Sequence, residues 1–76
     1  MKDLIRIIAQ SLVDRPNLVE VDELAGNSTM VIELKVAKED LGKVIGKQGR
    51  NAHAMRHILS SVSARVHKRV LLEIVE

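Results

Sequence analysis

The sequence has no cysteine and no aromatic residue, and each absence excludes a class of protein. Without cysteine the chain can form neither a disulfide nor a thiolate metal site, which fits a reducing compartment, so we expect a cytoplasmic protein. Without Phe, Tyr or Trp, the surface lacks the rings on which many single-strand binders stack bases. The core must therefore be built from aliphatic side chains and methionine.

The sequence also lacks an apolar run long enough to cross a membrane. The apolar stretch near its start, residues 4–13, is interrupted by Arg6 and Gln10, whereas a spanning helix needs about 20 predominantly apolar residues. That stretch has no small-residue cleavage site of the kind that ends a signal peptide. The 76 residues, of which 46% are hydrophobic, predict a single folded domain over 1–76 with room for one core and one binding surface.

Charge is distributed unevenly along the chain, although the formal net charge is only +2. Residues 1–40 hold five basic and eight acidic side chains, whereas residues 41–72 hold seven basic side chains, all three histidines and no acid. A basic stretch of this kind is typical of a face that binds an anion. The alternative is a solvated face on which the charges happen to be uneven.

The first half of the sequence predicts a helix followed by a β-hairpin. Apolar residues recur at helical spacing within 2–14, and Pro16 ends the helix because the residue before a proline avoids the α region. Residues 18–22 and 30–36 alternate in polarity, as strands with one buried face do, and the turn-forming residues 25–29 lie between them. The predicted core stripe of the helix comprises Leu4, Ile5, Ile8 and Leu12.

The second half predicts two helices and a final strand. A short helix begins at 38–40, where acidic residues suit the positive end of a helix dipole, and a longer helix covers about 50–64. Residues 70–75 alternate like the earlier strands. The predicted fold class is therefore α+β, in the order α-β-β-α-α-β, with three helices on one face of a three-stranded sheet.

The predicted long helix keeps its apolar and basic side chains apart. At 100° per residue, one arc holds the core candidates Ala52, Met55, Ile58, Leu59 and Val62. A neighbouring arc holds the basic side chains Arg50, His53, Arg56 and His57. The basic arc is predicted to face an anion.

The segment Gly46-Lys47-Gln48-Gly49 joins the two helices and is the main candidate binding site. Glycine allows a sharp turn and lets another backbone approach closely. The turn leads into the start of the long helix, where free N–H groups favour an anion. Lys43, Lys47 and Arg50 add full charges beside those groups, an arrangement that suits a sugar-phosphate chain. The alternative is a helix–turn–helix corner in which the two glycines serve only to bend the chain.

Other motifs near this turn do not support catalysis or cofactor binding. The stretch from Gly42 to Lys47 resembles a Walker A loop but is one residue short, and Gln48 replaces its Ser or Thr. His53 and His57 are four residues apart, but they have no third ligand nearby in sequence, and the adjacent arginines would repel a metal ion. We therefore predict no enzyme activity, no cofactor and no metal.

The turn and its surroundings resemble a known family. Residues 44–50, Val-Ile-Gly-Lys-Gln-Gly-Arg, resemble the I-G-x-x-G signature of KH domains, and the element order resembles the type II variant. Segments 12–14, 31–34 and 68–75 are similar to the small stand-alone bacterial KH proteins of the KhpA family. The resemblance extends over essentially the whole chain.

That resemblance implies a non-catalytic protein that binds single-stranded RNA. In KH domains the G-x-x-G loop clamps the backbone of about four nucleotides, so Gly46, Lys47, Gln48 and Gly49 would form the clamp, while Val44 and Ile45 would shape the groove near the bases. The resemblance also implies a homodimer, or a heterodimer with a larger KH-containing RNA-binding protein. It further implies an RNA regulator or chaperone linked to cell shape and cell wall biogenesis.

A second class of function stays open on the residues themselves. The chain could be a protein–protein interaction module with little RNA binding of its own. Candidate apolar contact positions for such a module are Ile7, Leu71 and Val75.

Overall fold

The order of helices and strands follows the sequence-based prediction. The computed structural model describes residues 2–75, and their order is α-β-β-α-α-β, as predicted. Short 3-10 turns at Pro16–Leu18, Lys38–Asp40 and Lys47–Gly49 connect the main elements. Those elements are α1 (Lys2–Leu12), β1 (Glu20–Ala25), β2 (Thr29–Lys35), α2 (Leu41–Ile45), α3 (Arg50–Val66) and β3 (Arg69–Val75).

The three strands form one mixed sheet with β2 in the centre. β1 pairs with β2 in the antiparallel sense, which confirms the predicted hairpin, and β3 pairs with β2 in the parallel sense. Parallel neighbours need a long crossover connection. The segment between β2 and β3 supplies it, because α2, the glycine turn and α3 all lie there. The site is therefore part of the crossover that completes the sheet.

The first strand lies later in the sequence than the alternation predicts. Residues 18–22 were expected to form it, but Leu18 ends a 3-10 turn and the strand runs from Glu20 to Ala25. The Val19 N–H donates to the Pro16 carbonyl, so it is not free to pair with a strand. At the other end, the pairing of Ala25 with Met30 extends the ladder into the predicted turn.

The core lies between one face of the sheet and the helices. Ile32 and Leu34 from β2 are fully buried there, as are Ile5 and Ala9 from α1. The predicted α1 stripe is therefore rotated, since Ala9 is buried whereas Leu4 is 42% exposed. The α3 residues Ala52, Met55 and Leu59 are buried as predicted, while Ile58 and Val62 are only partly buried.

The longest helix, α3, extends two residues beyond its predicted end. It ends at Val66, and His67 follows in the left-handed conformation with φ of 56°. Left-handed residues are common just after helices because they turn the chain away. No helix within residues 2–75 has the length and apolar character needed to cross a bilayer.

Candidate nucleic-acid interface

The glycine turn between α2 and α3 adopts a conformation that most residues avoid. Gly46 has φ of 80° and ψ of 170°, Gln48 has φ of 58°, and Gly49 has φ of 75°. A Cβ on Gly46 would lie 2.7 Å from the Cγ of Asn51 and 2.8 Å from its backbone nitrogen. Gly46 is therefore required both by its dihedral angles and by close packing. At Gly49 only the positive φ favours glycine, because a Cβ there would meet nothing within 4 Å.

Asn51 holds the two helices around the turn, a role that the sequence analysis missed. Its side-chain amide donates to the carbonyl oxygen of Lys43 at 2.8 Å, and its side chain packs against Gly46. The bond joins the last turn of α2 to the first turn of α3. An amide residue two positions after a glycine is a weak sequence signal, because it does not identify the partner.

The loop presents its polar side chains to solvent at the start of α3. Lys47, Gln48 and Arg50 are exposed. Gly49 occupies the N-cap position and supplies no side chain to cap the helix, so the N-terminal N–H groups of α3 receive no side-chain acceptor there. The Arg50 guanidinium lies 3.5 Å from the amide oxygen of Gln48. Within residues 2–75, neither Lys47 nor Arg50 forms an ion pair.

Lys43, which was predicted to contact the anion, has its charge engaged elsewhere. Its ammonium group hydrogen-bonds to the Asp14 carboxylate and lies 3.8 Å from a carboxylate oxygen of Asp40. The hydrogen bond to Asp14 raises the pKa of Lys43 above its ordinary value of 10.5, and the charge on Asp40 raises it further. Two carboxylates beside one ammonium group leave little net positive charge for a phosphate. In this arrangement Lys43 stabilises the base of the loop.

Asp40 is a buried carboxylate that the sequence analysis treated only as an acid near a helix start. It is 1% exposed and accepts hydrogen bonds from the backbone N–H groups of Asp14 and Arg15, at 3.2 and 3.0 Å. Buried charges need such partners. Asp40 thereby fixes the chain after α1 to the start of α2, next to Lys43.

The two residues that precede the loop have different environments. Val44 is fully buried in the core, so it can shape a groove only from beneath. Ile45 is 38% exposed and is the one of the pair that can touch a base directly. Adjacent positions on a helix point about 100° apart, which accounts for the difference.

The predicted basic arc of α3 lies beside the loop. His53, Arg56 and His57 are exposed and line, with Gln48 and Arg50, a shallow concavity of about 690 Å³. Ala54 and Ile58 supply an apolar part of its lining. No group of three potential metal ligands occurs among residues 2–75. The concavity therefore combines the guanidinium groups of Arg50 and Arg56 with a largely apolar lining beside the start of α3.

Fold and loop together define the class of the protein. Three helices and a three-stranded mixed sheet in the order α-β-β-α-α-β, with a G-x-x-G turn between two adjacent helices, are the features of a type II KH domain. This confirms the fold class and the resemblance expected from the sequence.

Comparison with known proteins identifies the family. The family described as "KhpA/KhpB, KH domain" matches residues 2–74. Proteins named "RNA-binding protein KhpA" from Caldanaerobacter subterraneus subsp. tengcongensis and Clostridium perfringens are 51% and 49% identical over 75 residues, which is 99% of this chain and 100% of each relative. That of Aquifex aeolicus is 50% identical over 76 residues, 100% of this chain and 96% of the relative.

The chain belongs to the KhpA/KhpB family of KH domains. This is a non-catalytic family, and the relatives are named as RNA-binding proteins rather than as enzymes. No solved structure matches the chain significantly.

Proposed function

We propose that the chain binds single-stranded RNA by holding the phosphate backbone at the loop Gly46–Gly49. The observation that carries this proposal is the loop itself: two glycines with positive φ expose Lys47 and Gln48 at a helix start that has no side-chain cap. Backbone N–H groups at a helix N-terminus and unpaired cationic side chains are what a phosphate needs. The names of the relatives support RNA as the ligand.

The same surface suggests where the RNA chain continues beyond the loop. Arg50, His53, Arg56 and His57 follow the loop along α3, and all four are exposed. Phosphates beyond the clamp would meet these side chains, while Ile45 offers an aliphatic contact for a base. This surface contains no aromatic ring, so base contacts would be aliphatic packing and hydrogen bonds, and sequence preference would be low.

Such a site has few charges, so a single copy should bind RNA weakly. Lys43 is engaged by Asp14 and Asp40, which leaves Lys47, Arg50 and Arg56 as the permanent charges near the loop. Linking two sites raises the overall affinity without new contacts. We therefore include in the proposal a homodimer, or a heterodimer with a larger KH-containing RNA-binding protein. A regulatory or chaperone role in the cytoplasm, linked to cell shape and cell wall biogenesis, completes the proposal and rests on the family resemblance.

The proposal is tested by reversing charge on the loop while keeping both glycines. Lys47→Asp/Gln48→Asp puts two anions where the phosphate should lie. A matched control, Ser61→Asp/Arg65→Asp, makes the same change in charge at exposed positions near the other end of α3, about 20 Å away by the helical rise. Binding of a labelled single-stranded RNA pool should be lost in the loop variant and largely kept in the control. Light scattering on each protein would report the assembly state.

Salt dependence separates this function from the alternative. Neutralising two to four phosphates on a single strand predicts a slope of about −1.4 to −2.8 in a plot of log affinity against log salt concentration. If the loop variant binds as well as the wild type, the glycines only form a corner. If the wild type itself binds no RNA, the protein–protein interaction module becomes the better interpretation.

A further inference from the structure

Among the described residues 2–75, no helix covers the outer face of the sheet. Side chains that alternate with the core residues point to this face, and the strand register arranges them in rows across the three strands. One row is apolar and consists of Leu24, Val31 and Leu71, which are paired across β1, β2 and β3. Leu24 is 54% exposed and Leu71 is 40% exposed. We call this set the apolar row.

The next row along the strands is entirely acidic. Asp22, Glu33 and Glu73 are directly opposite one another in the register, and we call them the acidic row. Within residues 2–75, none of the three forms an ion pair with a basic side chain. Like charges directly opposite across strands are destabilising. The acidic row therefore does not serve the stability of the isolated chain, and a ligand that neutralises it would relieve the repulsion.

We propose that the outer sheet face binds a basic amphipathic segment of another protein. Apolar side chains of that segment would cover the apolar row, and its Lys or Arg side chains would reach the acidic row. The two rows are two residues apart along each strand, which is about 7 Å. One segment can therefore contact both rows, with an apolar side chain on the apolar row and a neighbouring Lys or Arg side chain that extends to the acidic row. Charge complementarity therefore selects the partner.

The spacing of the apolar row fits a helix that crosses the strands. Neighbouring strands are about 4.8 Å apart, and side chains one helical turn apart are separated by about 5.4 Å. Apolar residues at positions i, i+4 and i+7 of a partner helix can therefore cover Leu24, Val31 and Leu71 in turn. The proposed occupant is accordingly a basic helix with one narrow apolar stripe.

The charge of this face argues against a second copy of the chain and against RNA. Besides the acidic row it carries Glu20, Lys35 and Arg69, so four acids and two bases leave a net charge of −2. Two such faces would bring like charges together, and a phosphate chain would be repelled. The face is also opposite the helices, so the loop at 46–49 stays free while the partner is bound.

The inference is tested with a synthetic peptide and isotope-labelled protein. The probe is a 14-residue peptide of leucine and lysine, with leucines at helical spacing on one face. The control peptide has glutamate in place of every lysine. Saturable shifts of backbone amides in β1, β2 and β3 are expected with the lysine peptide, together with weakening by salt, and no binding is expected with the glutamate peptide.

Variants of the two rows identify the contacts. Leu71→Ser should weaken the peptide at least about fivefold, as expected when one apolar anchor is lost. Glu33→Gln/Glu73→Gln should weaken it and flatten its salt dependence. These side chains lie on the outer sheet face, where Leu71 and Glu73 are exposed and Glu33 is half-buried. The fold should therefore persist, and the dispersion of the amide chemical shifts checks this. Should Leu71→Ser not fold, Leu24→Ser makes the same test at a more exposed position.

Two outcomes would overturn the inference, and neither depends on RNA binding. One is the absence of saturable binding up to about 1 mM peptide, which is the range of very weak affinities. The other is a set of shifts confined to α3 or unchanged by the row variants. The loop variant Lys47→Asp/Gln48→Asp should bind the peptide like the wild type, so failure of the RNA proposal and failure of this one are distinguishable.

Discussion

The packing of Gly46 against Asn51 gives a quantitative prediction for the loop. In Gly46→Ala the new methyl group would lie 2.7 to 2.9 Å from the Cγ, the backbone nitrogen and the Cβ of Asn51. The backbone nitrogen belongs to the first turn of α3, so it cannot move aside as a flexible side chain would. The φ and ψ of Gly46, 80° and 170°, also lie in a region that is essentially restricted to glycine.

The expected cost follows from these two effects. A backbone held in such a region costs about 1–3 kcal/mol, and inserting a methyl group into a close-packed contact costs about 1–3 kcal/mol more. We therefore expect Gly46→Ala to lower the free energy of unfolding by about 2–6 kcal/mol, out of the roughly 5–15 kcal/mol available to a typical domain. In a domain of this size each kcal/mol corresponds to about 4–8 °C in the melting temperature.

Two other glycines provide matched controls for the same substitution. Gly42 lies within α2, its added Cβ would meet nothing within 4 Å, and its φ is not positive. Gly42→Ala should therefore stabilise the fold by about 0.5–1 kcal/mol. Gly49 has open space but a φ of 75°, so Gly49→Ala should cost about 1–2 kcal/mol from backbone strain alone.

Urea denaturation followed by circular dichroism would measure all three variants under identical conditions. The order of stability should be Gly42→Ala, then wild type, then Gly49→Ala, with Gly46→Ala the least stable. Equal stabilities of Gly46→Ala and Gly42→Ala would refute the argument, because it would mean that the loop relaxes around the methyl group at no cost.

Three further predictions address the side chains around the loop. Asn51→Ala removes the hydrogen bond to the Lys43 carbonyl and should lower the free energy of unfolding by about 1 kcal/mol. The same change should weaken RNA binding. If Asn51 acts on the fold alone, the affinity of the folded protein for RNA would be unaltered. Because the pKa of Lys43 is raised in the folded chain, its contribution to stability is present below pH 10.5 and is lost as the pH rises through the folded value. Asp14→Asn should therefore flatten the stability profile above pH 10.5, measured by urea denaturation, and an unchanged profile would contradict the assigned pairing. His53→Gln/His57→Gln should weaken RNA binding at matched salt and pH, because both side chains line the concavity beside the loop, and an unchanged affinity would exclude them from the interface.

The sequence predicts the order of elements and the position of the loop because both depend on local signals. Glycine spacing, alternation and helical periodicity are visible without tertiary structure. The turn at 46–49 and the start of α3 at Arg50 accordingly lie where they were predicted. The same local signals could not tell which neighbour of the loop would be buried, because Val44 and Ile45 are equally apolar and only the direction of α2 against the core separates them.

What the sequence could not predict depends on contacts between distant residues. Asp14 and Lys43 are 29 positions apart, and their pairing follows from the hydrogen bonds by which Asp40 fixes the chain after α1. From the sequence alone, Lys43 is a basic residue beside a glycine turn and is expected to be free to contact a phosphate. In the folded chain, the carboxylates of Asp14 and Asp40 offset its charge. The later end of β1 has a similar cause, because the pairing of Ala25 with Met30 of β2 extends the strand into the predicted turn.

The folded chain sorts its charges into two regions, and this gives a nearly neutral protein strong local fields. The register gathers the acidic row, Asp22, Glu33 and Glu73, on the outer sheet face together with Glu20. The crossover places Lys47, Arg50 and Arg56 on the helical side. We therefore expect a phosphate chain to be attracted to the helical side and repelled from the outer sheet face, so that charge would orient the RNA before any specific contact forms. If both proposals hold, the same separation allows a basic protein segment and an RNA to bind at once, because the acidic face attracts the segment and the basic surface attracts the RNA.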